Sequence, residues 1–456
     1  MISASQYLKL GTSNKRREKK ADHKRLRELY QQKWREIRDF RKVPAKEIEN
    51  WQFNRIKELV SHAYKTVPLY REKYSKVGFL PEDLKSWQDF RSLPILTKEE
   101  LIEGFPDRTV SKRFNFEFTT RSSGSSGKFA TIAVSPEAIY LDTIQGARQF
   151  YFQSGGKYKT YDLALFIYTS PWWVASIDGN YRTEFLPTTT KPSEALGIIR
   201  RLKPKILSLY PTYLNKFYEL KAPLKEFGIR LIVVHSEQST SKQRRELSSY
   251  FGIPVLDEYS SEELTRIALE CPFRKYHIEE DACYIEIVDP KTGENVEDGR
   301  YGSVIGTNLL NEAMPIIRYS QGDLASLEGF EKCACGSNFR VMDRIYGRYM
   351  DSIVTNKGET IPASCFMDLA YNWYLELDIP VHGLRYQIVQ KEDGNICIYI
   401  ISGVNGISQA QKFRIRESLY QLIPREMKVT VRVVKKLPVN TGVKFRPVIS
   451  YKQKSE

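Results

Sequence analysis

The sequence predicts an α/β protein: a large N-terminal domain of mainly parallel sheets layered with helices, then a small α+β C-terminal domain. Three observations carry this. Short apolar runs such as "DLALFIYTS", "KILSLYP", "IRLIVVHSE" and "IPVLDEYS" are separated by helical stretches such as "KQRRELSSYFG", and such alternation implies parallel strands joined through helices. A Ser/Gly-rich loop, "RSSGSSGK", stands just before a strand-like run, "FATIAV". From Tyr346 the pattern changes to a hairpin, "YQIVQKEDGNICIYIIS", followed by a helix and another strand.

Taken in order, residues 1–47 read as a basic helical extension. Met1 to Val43 carry 14 Lys/Arg against 5 Asp/Glu, so much of the net charge of +15 sits in the first tenth of the chain. Leu26, Leu29, Tyr30, Trp34, Ile37 and Phe40 fall at helical spacing between the basic residues. One reading is an amphipathic helix resting on an acidic membrane surface or an acidic protein partner. The other is a helix that packs its apolar stripe on the body and keeps its charges solvated, which such stripes usually do. Beyond this segment there is no finger, RRM or helix-turn-helix pattern, which argues against nucleic acid.

At 456 residues and 41% hydrophobic, the chain can bury large cores in two or three domains. No apolar run is long enough to span a bilayer, and the polar, then basic, N-terminus lacks the apolar core of a secretory signal. Six cysteines are too few for a disulfide scaffold. A cytoplasmic protein is expected, peripheral at the inner membrane face if the basic helix docks there.

The large domain is expected over 48–345. Ile48 to Tyr64 reads as a helix, and "TVPLYREKY" turns the chain into another. "LPILTKEEL" is a turn and a helix start, with Thr97 as N-cap and Glu100 completing a capping box. In parallel sheets ligands gather at the carboxyl ends of strands, which makes "HSEQ", with Glu237, and "DEYSSEE" candidate binding segments. In "RSSGSSGK", Gly124 and Gly127 allow positive φ and an inward-turned anion nest. Ser122, Ser123, Ser125 and Ser126 add donors, and Lys128 adds a charge. This suits a polyphosphate, although the spacing is not that of a P-loop NTPase. Alone, a Ser/Gly-rich turn is more often just a turn.

Four further motifs follow in order: "YSSEE" (Tyr259 to Glu263), "RYSQGD" (Arg318 to Asp323), "GRYMD" (Gly347 to Asp351) and "NTGVKFRPV" around Lys444. With the loop, they resemble the adenylate-forming superfamily of acyl- and aryl-CoA synthetases. The branch of phenylacetate–CoA ligases and CapK-type capsular polysaccharide proteins is the most similar, from about Trp51 to Ser450.

The resemblance implies roles position by position. Ser122 to Lys128 would close over the ATP phosphates. Tyr259 would lie against the adenine, and Glu263 would hold Mg²⁺. Asp323 would take both ribose hydroxyls, and Arg348 the ribose or phosphate. Lys444 would bridge the substrate carboxylate and the α-phosphate during adenylation. The physics agrees, because attack of a carboxylate on a phosphate joins two anions and needs cationic charge. Standing alone, each residue has a plain alternative: a turn aspartate at 323, a helix-start charge at 263, a solvated lysine at 444.

The motifs also depart from the family. Ser260 and Glu262 replace its Gly and Thr, Val443 stands where a glycine precedes the lysine, and Met350 occupies a position that is Asp or Lys, and the hinge, in many relatives. Residues 346–456 are expected to form a small mobile lid domain that swings between an adenylating and a transfer posture.

Cys271, His277, Cys333 and Cys335 supply three thiolates and an imidazole, a complete set for structural Zn²⁺; otherwise they are four unlinked residues. Cys283, Cys365 and Cys397 stand in apolar contexts as plain buried residues. Trp172, Trp173, His235 and "SLYPTYL" lie at strand ends that line either a substrate pocket or ordinary packing.

Two functions remain. One is an ATP- and Mg²⁺-dependent ligase that makes an acyl-adenylate from a small carboxylic acid and passes it to CoA or to an amine, such as a sugar of a surface polysaccharide. The other is a degenerate relative that serves as a binding or scaffold protein at a membrane-associated polysaccharide assembly.

Overall fold

A computed structural model describes residues 23–114, 118–122, 129–169, 174, 176–377, 385–401, 406–438 and 445–452. β1 (Phe118–Arg121) and β2 (Thr131–Val134) form an antiparallel pair on either side of the Ser/Gly-rich loop. β3 (Leu163–Tyr168), β4 (Arg182–Pro187), β5 (Ile206–Leu209), β6 (Leu231–His235) and β7 (Val255–Ser261) then lie parallel, in the order β4-β3-β5-β6-β7.

The α/β class is the one the sequence predicts, and burial explains the parallel half. Every residue of β5 and β6 is buried, as expected for strands covered on both faces. Alternate residues serve the two faces. Leu165, Ile167, Leu207, Leu209, Ile232 and Val234 pack under the helices Pro192–Leu202, Pro211–Glu219 and Ser241–Phe251. Ala164, Phe166, Ile206, Val233 and Leu256 pack under the helix Pro136–Gln153.

The same sheet continues antiparallel beyond β7. β8 (Thr265–Glu270), β9 (Tyr276–Ile278), β10 (Cys283–Val288), β11 (Tyr301–Asn308), β12 (Tyr319–Gly329) and β13 (Val341–Arg348) follow in the order β8-β9-β13-β12-β11-β10. Of the two readings of the N-terminal stripe, the structure takes the intramolecular one. In the helix His23–Asp39, Leu26, Leu29 and Ile37 are buried in the cluster under Pro136–Gln153. Arg41 then anchors the segment, with Nη2 2.5 Å from Glu279 Oε1.

The chain after β13 builds a separate core. β14 (Ile353–Val354) and β15 (Thr360–Ile361) pair with each other, while β16 (Tyr386–Gln390), β17 (Ile396–Ile400), β18 (Val429–Val433) and β19 (Val448–Ser450) form a sheet ordered β18-β17-β16-β19. β16 and β17 are the hairpin read from "YQIVQKEDGNICIYIIS". Phe366, Trp373, Ile388, Ile398, Ile415 and Leu419 fill this core between the sheet and the helices Ala363–Leu377 and Gln409–Leu419. Tyr346, where the small domain was expected to begin, lies inside β13, two residues before the strand ends. Among the described residues no helix is long and apolar enough to cross a membrane.

Candidate functional site

A cavity opens where the parallel half of the sheet meets the antiparallel half. Residues of the parallel strands β3, β5, β6 and β7 line one wall, and residues of the antiparallel strands β8, β11, β12 and β13 line the other. It collects Ser122, Glu263, Asp323 and Arg348, four residues separated by more than two hundred positions of sequence.

Asp323 and Arg348 meet because β12 and β13 pair in register at these residues, with Arg348 Nε 3.3 Å from Asp323 Oδ1. The Tyr259 hydroxyl donates to Asp323 Oδ2 at 2.7 Å. Burial, then the adjacent carboxylate, holds that hydroxyl protonated far above its usual range. Tyr259 is half-buried against the core and is not among the cavity-lining residues, so its link to the site runs through Asp323. Gly347 has φ +97°, and a Cβ there would come 2.5 Å from Gln238 Oε1, so the motif glycine is needed for both backbone and space.

Glu263 stands in the turn between β7 and β8, 5% exposed. Tyr319 Oη donates to its Oε1 at 3.1 Å, and Asn308 Nδ2 donates to its carbonyl at 2.9 Å. Among the described residues it forms no salt bridge. This buried carboxylate lies in the field of Lys98 and Arg348, and its oxygens are donors of the kind that suits Mg²⁺. Glu262, which replaces the family threonine, accepts from Thr120 Oγ1 at 2.5 Å and ties β1 to the same turn.

The neck of the Ser/Gly-rich loop is closed by Ser122, whose N–H donates to the Ala130 carbonyl and whose Oγ accepts from the Ala130 N–H, both at 2.9 Å. Ser123, Gly124, Ser125, Ser126, Gly127 and Lys128 lie outside the described residues, as do Lys444, Trp172 and Trp173. Glu237 is not in this cavity. It caps the helix Pro211–Glu219, accepting from the Thr212 N–H at 3.1 Å and Thr212 Oγ1 at 2.7 Å. Its other oxygen accepts from the Phe445 N–H at 3.3 Å, which joins it to the C-terminal body.

Lys98 lines the cavity and was not singled out from sequence. The capping box places it: Thr97 caps the helix Lys98–Gly104, and Leu96 exchanges backbone hydrogen bonds with Arg318 and Ser320 at 2.9 and 3.0 Å. The first helical residue is thereby held beside β12. Burial lowers the Lys98 ammonium below its usual range, opposed by Glu263. No local sequence pattern marks Lys98, because its place in the cavity depends on the pairing of Leu96 with β12.

Cys271, His277, Cys333 and Cys335 also converge, with all four ligand atoms within 4.8 Å of one another. Cys271 Sγ and Cys333 Sγ are 3.8 Å apart, close to the roughly 3.8 Å between thiolates on a tetrahedral zinc. Cys335 Sγ is 3.2 Å from His277 Nε2, while His277 Nδ1 lies 3.1 Å from the Phe339 carbonyl, a partner that orients the ring. Of the remaining cysteines, Cys283 and Cys397 are buried as expected, but Cys365, in the first turn of the helix Ala363–Leu377, is only partly so.

No protein-family model matches the chain. It is 30% identical over 335 residues to the phenylacetate–coenzyme A ligase of Escherichia coli K12, covering 70% of this chain and 75% of that protein. To the phenylacetate–coenzyme A ligase of Aromatoleum evansii it is 28% identical over 334 residues, covering 70% and 74%. The structure of 2-hydroxyisobutyryl-CoA ligase in the postadenylation state, in complex with 2-HIB-AMP, matches with a TM-score of 0.75 over 90% of each chain, at 18% identity. At that identity the likeness is one of fold.

Proposed function

The chain belongs to the phenylacetate–coenzyme A ligase family of adenylate-forming enzymes, and on that premise we propose that it activates a small carboxylic acid with ATP and passes the acyl group to coenzyme A. It is a ligase. The convergence of Ser122, Glu263, Asp323 and Arg348 on one cavity carries the reading of where the chemistry occurs. The relatives named above are coenzyme A ligases, which favours a thiol acceptor over an amine.

In the first half-reaction a substrate carboxylate oxygen bonds to the α-phosphorus, and the bond to the β-phosphate oxygen breaks to release pyrophosphate. Asp323 accepts the two ribose hydroxyls, held in place by Tyr259 and Arg348. Ser122 and the loop it closes donate to the outer phosphates. Glu263 is the residue that would hold Mg²⁺, which offsets the charge of the phosphates when bound. Lys98 adds a cation on the same side of the cavity. Lys444 neutralises the meeting carboxylate and α-phosphate. In the second half-reaction the coenzyme A sulfur bonds to the acyl carbon, AMP leaves, and the thiol proton is released.

The chain divides into a large body and a small lid pivoting near Tyr349–Asp351, where a short 3-10 turn follows β13. Cys271, His277, Cys333 and Cys335 would hold a closed, structural zinc that pins β8 and β9 to the loop before β13. The direct test is pyrophosphate exchange across a screen of aryl, fatty and amino acids, then acyl-CoA formation with the acids that exchange. Absence of exchange from every acid, with ATP bound, would overturn the reading.

A further inference from the structure

The part of the cavity walled by the parallel strands is unusually polar for an acyl pocket. Phe166 and Tyr168 of β3, Ser208 of β5, His235 of β6 and Glu258 of β7 all line it. They share one face of the sheet, since Phe166 pairs with Ser208 and His235 pairs with Glu258 in the ladders. The helix Pro136–Gln153 covers that face and adds Asp142. Asp323, Arg348, Glu263 and Lys98 stand on the other elements, so this is the end left for the acid.

The charges at this end do not cancel. Arg266 is ion-paired with Asp142, and its Nε donates to Gln149 Oε1 at 2.8 Å. Gln149 Nε2 in turn donates to Glu258 Oε2 at 2.6 Å. The chain of contacts thus ends on a carboxylate that receives an amide and, among the described residues, forms no salt bridge. Two strands away on the same wall of the cavity, Ser208 is 1% exposed and its Oγ has no hydrogen-bond partner. A buried hydroxyl without a partner costs stability unless a ligand supplies what is missing, and the one guanidinium of Arg266 serves both Asp142 and Glu258, which leaves these three groups one negative charge in excess.

We propose that the acid activated here carries a hydrogen-bond donor remote from its carboxyl, a protonated amine above all, and that Glu258 receives it. The proposal rests on the reading of this cavity as an adenylate site and deepens it by naming the substrate class. Polar sites of this kind select strongly, because an apolar analogue leaves their groups unpaired. Phenylacetate itself offers nothing to Glu258 and would be a poor substrate.

The experiment compares unreactive acyl-adenylate mimics, the N-acylsulfamoyl adenosines, in matched pairs: para-(aminomethyl)phenylacetyl against para-ethylphenylacetyl, and ω-aminoacyl against n-acyl of equal length. Direct binding is measured on the whole chain. At least one amino member should bind about tenfold or more tighter than its partner, the scale of a charge-assisted hydrogen bond. Glu258→Gln should collapse that ratio by about the same factor. If both members of every pair bind wild type equally, or the apolar members bind better, the inference falls while the adenylate reading stands. If no mimic binds, both fall. Should Glu258→Gln fail to fold, the wild-type ratio alone decides.

Discussion

Asp323 and Arg348 face each other across the β12–β13 ladder at 3.3 Å, with the Tyr259 hydroxyl on the second carboxylate oxygen of Asp323. A charged, pre-oriented carboxylate accepts two ribose hydroxyls more strongly than a neutral side chain does. Asp323→Ala should therefore weaken ATP binding by about tenfold or more, and Tyr259→Phe by a smaller factor of about fivefold, as expected for hydrogen bonds to a charged group and for one positioning bond. Titration calorimetry of the two variants reads this order, and equal affinity for wild type and Asp323→Ala would sink the assignment.

Lys98 brings the one cavity-lining charge that belongs to the segment before β1. Lys98→Ala should lower the rate of pyrophosphate exchange by about tenfold or more, the scale of losing one stabilising charge in a water-poor site. The variant should melt near wild type, because the Thr97–Glu100 capping box that starts the helix is untouched. A large fall in melting temperature with unchanged exchange would make Lys98 structural.

Lys444→Ala separates the half-reactions. On the proposed role its charge acts on the carboxylate and α-phosphate only during adenylation, so exchange should fall by a hundredfold or more, about the loss seen when one electrostatic stabiliser is removed. Transfer of the acyl group from supplied acyl-adenylate to coenzyme A should persist. Wild-type exchange in the variant would shift attention to Lys435 or Lys436.

The four zinc-ligand candidates make a compositional prediction. Elemental analysis should find about one zinc per chain, as a complete tetrahedral donor set implies. Cys335→Ser should lose the metal and lower the melting temperature without changing ATP affinity directly, since metal binding to such a set is coupled to folding. Metal-free wild-type protein with the same melting curve as Cys335→Ser would remove the site.

Leu26 is fully buried on the N-terminal helix, among Ile144, Phe150 and Phe166. Leu26→Ala should cost about 2–5 kcal/mol of stability, the usual range for a core leucine. Urea melts check it, and a loss below about 1 kcal/mol would mean that the helix is only loosely docked.

The elements were legible in the sequence because their signals are local. Thr97 and Glu100 are three residues apart, and a capping box needs nothing more. The strands β3, β5 and β6 announce themselves by largely apolar runs, since strands buried on both faces have no polar face to show. Asp323, Arg348 and Glu263 could be named through motif order alone. What only the tertiary structure decided is which of these residues share a space. Glu237 reads as a strand-end ligand in sequence, yet its side chain caps the helix Pro211–Glu219, because the cap lay within reach and satisfied a helix N–H. Lys98 and Tyr319 enter the site through pairing between Leu96 and β12, a contact across more than two hundred residues that no local pattern encodes. The same holds for Glu258, an ordinary strand residue until the helix Pro136–Gln153 lays Gln149 against it and the ladder sets it beside His235. Charge balance inside a cavity is a property of neighbours in space, and neighbours in space are made by packing rather than by sequence spacing.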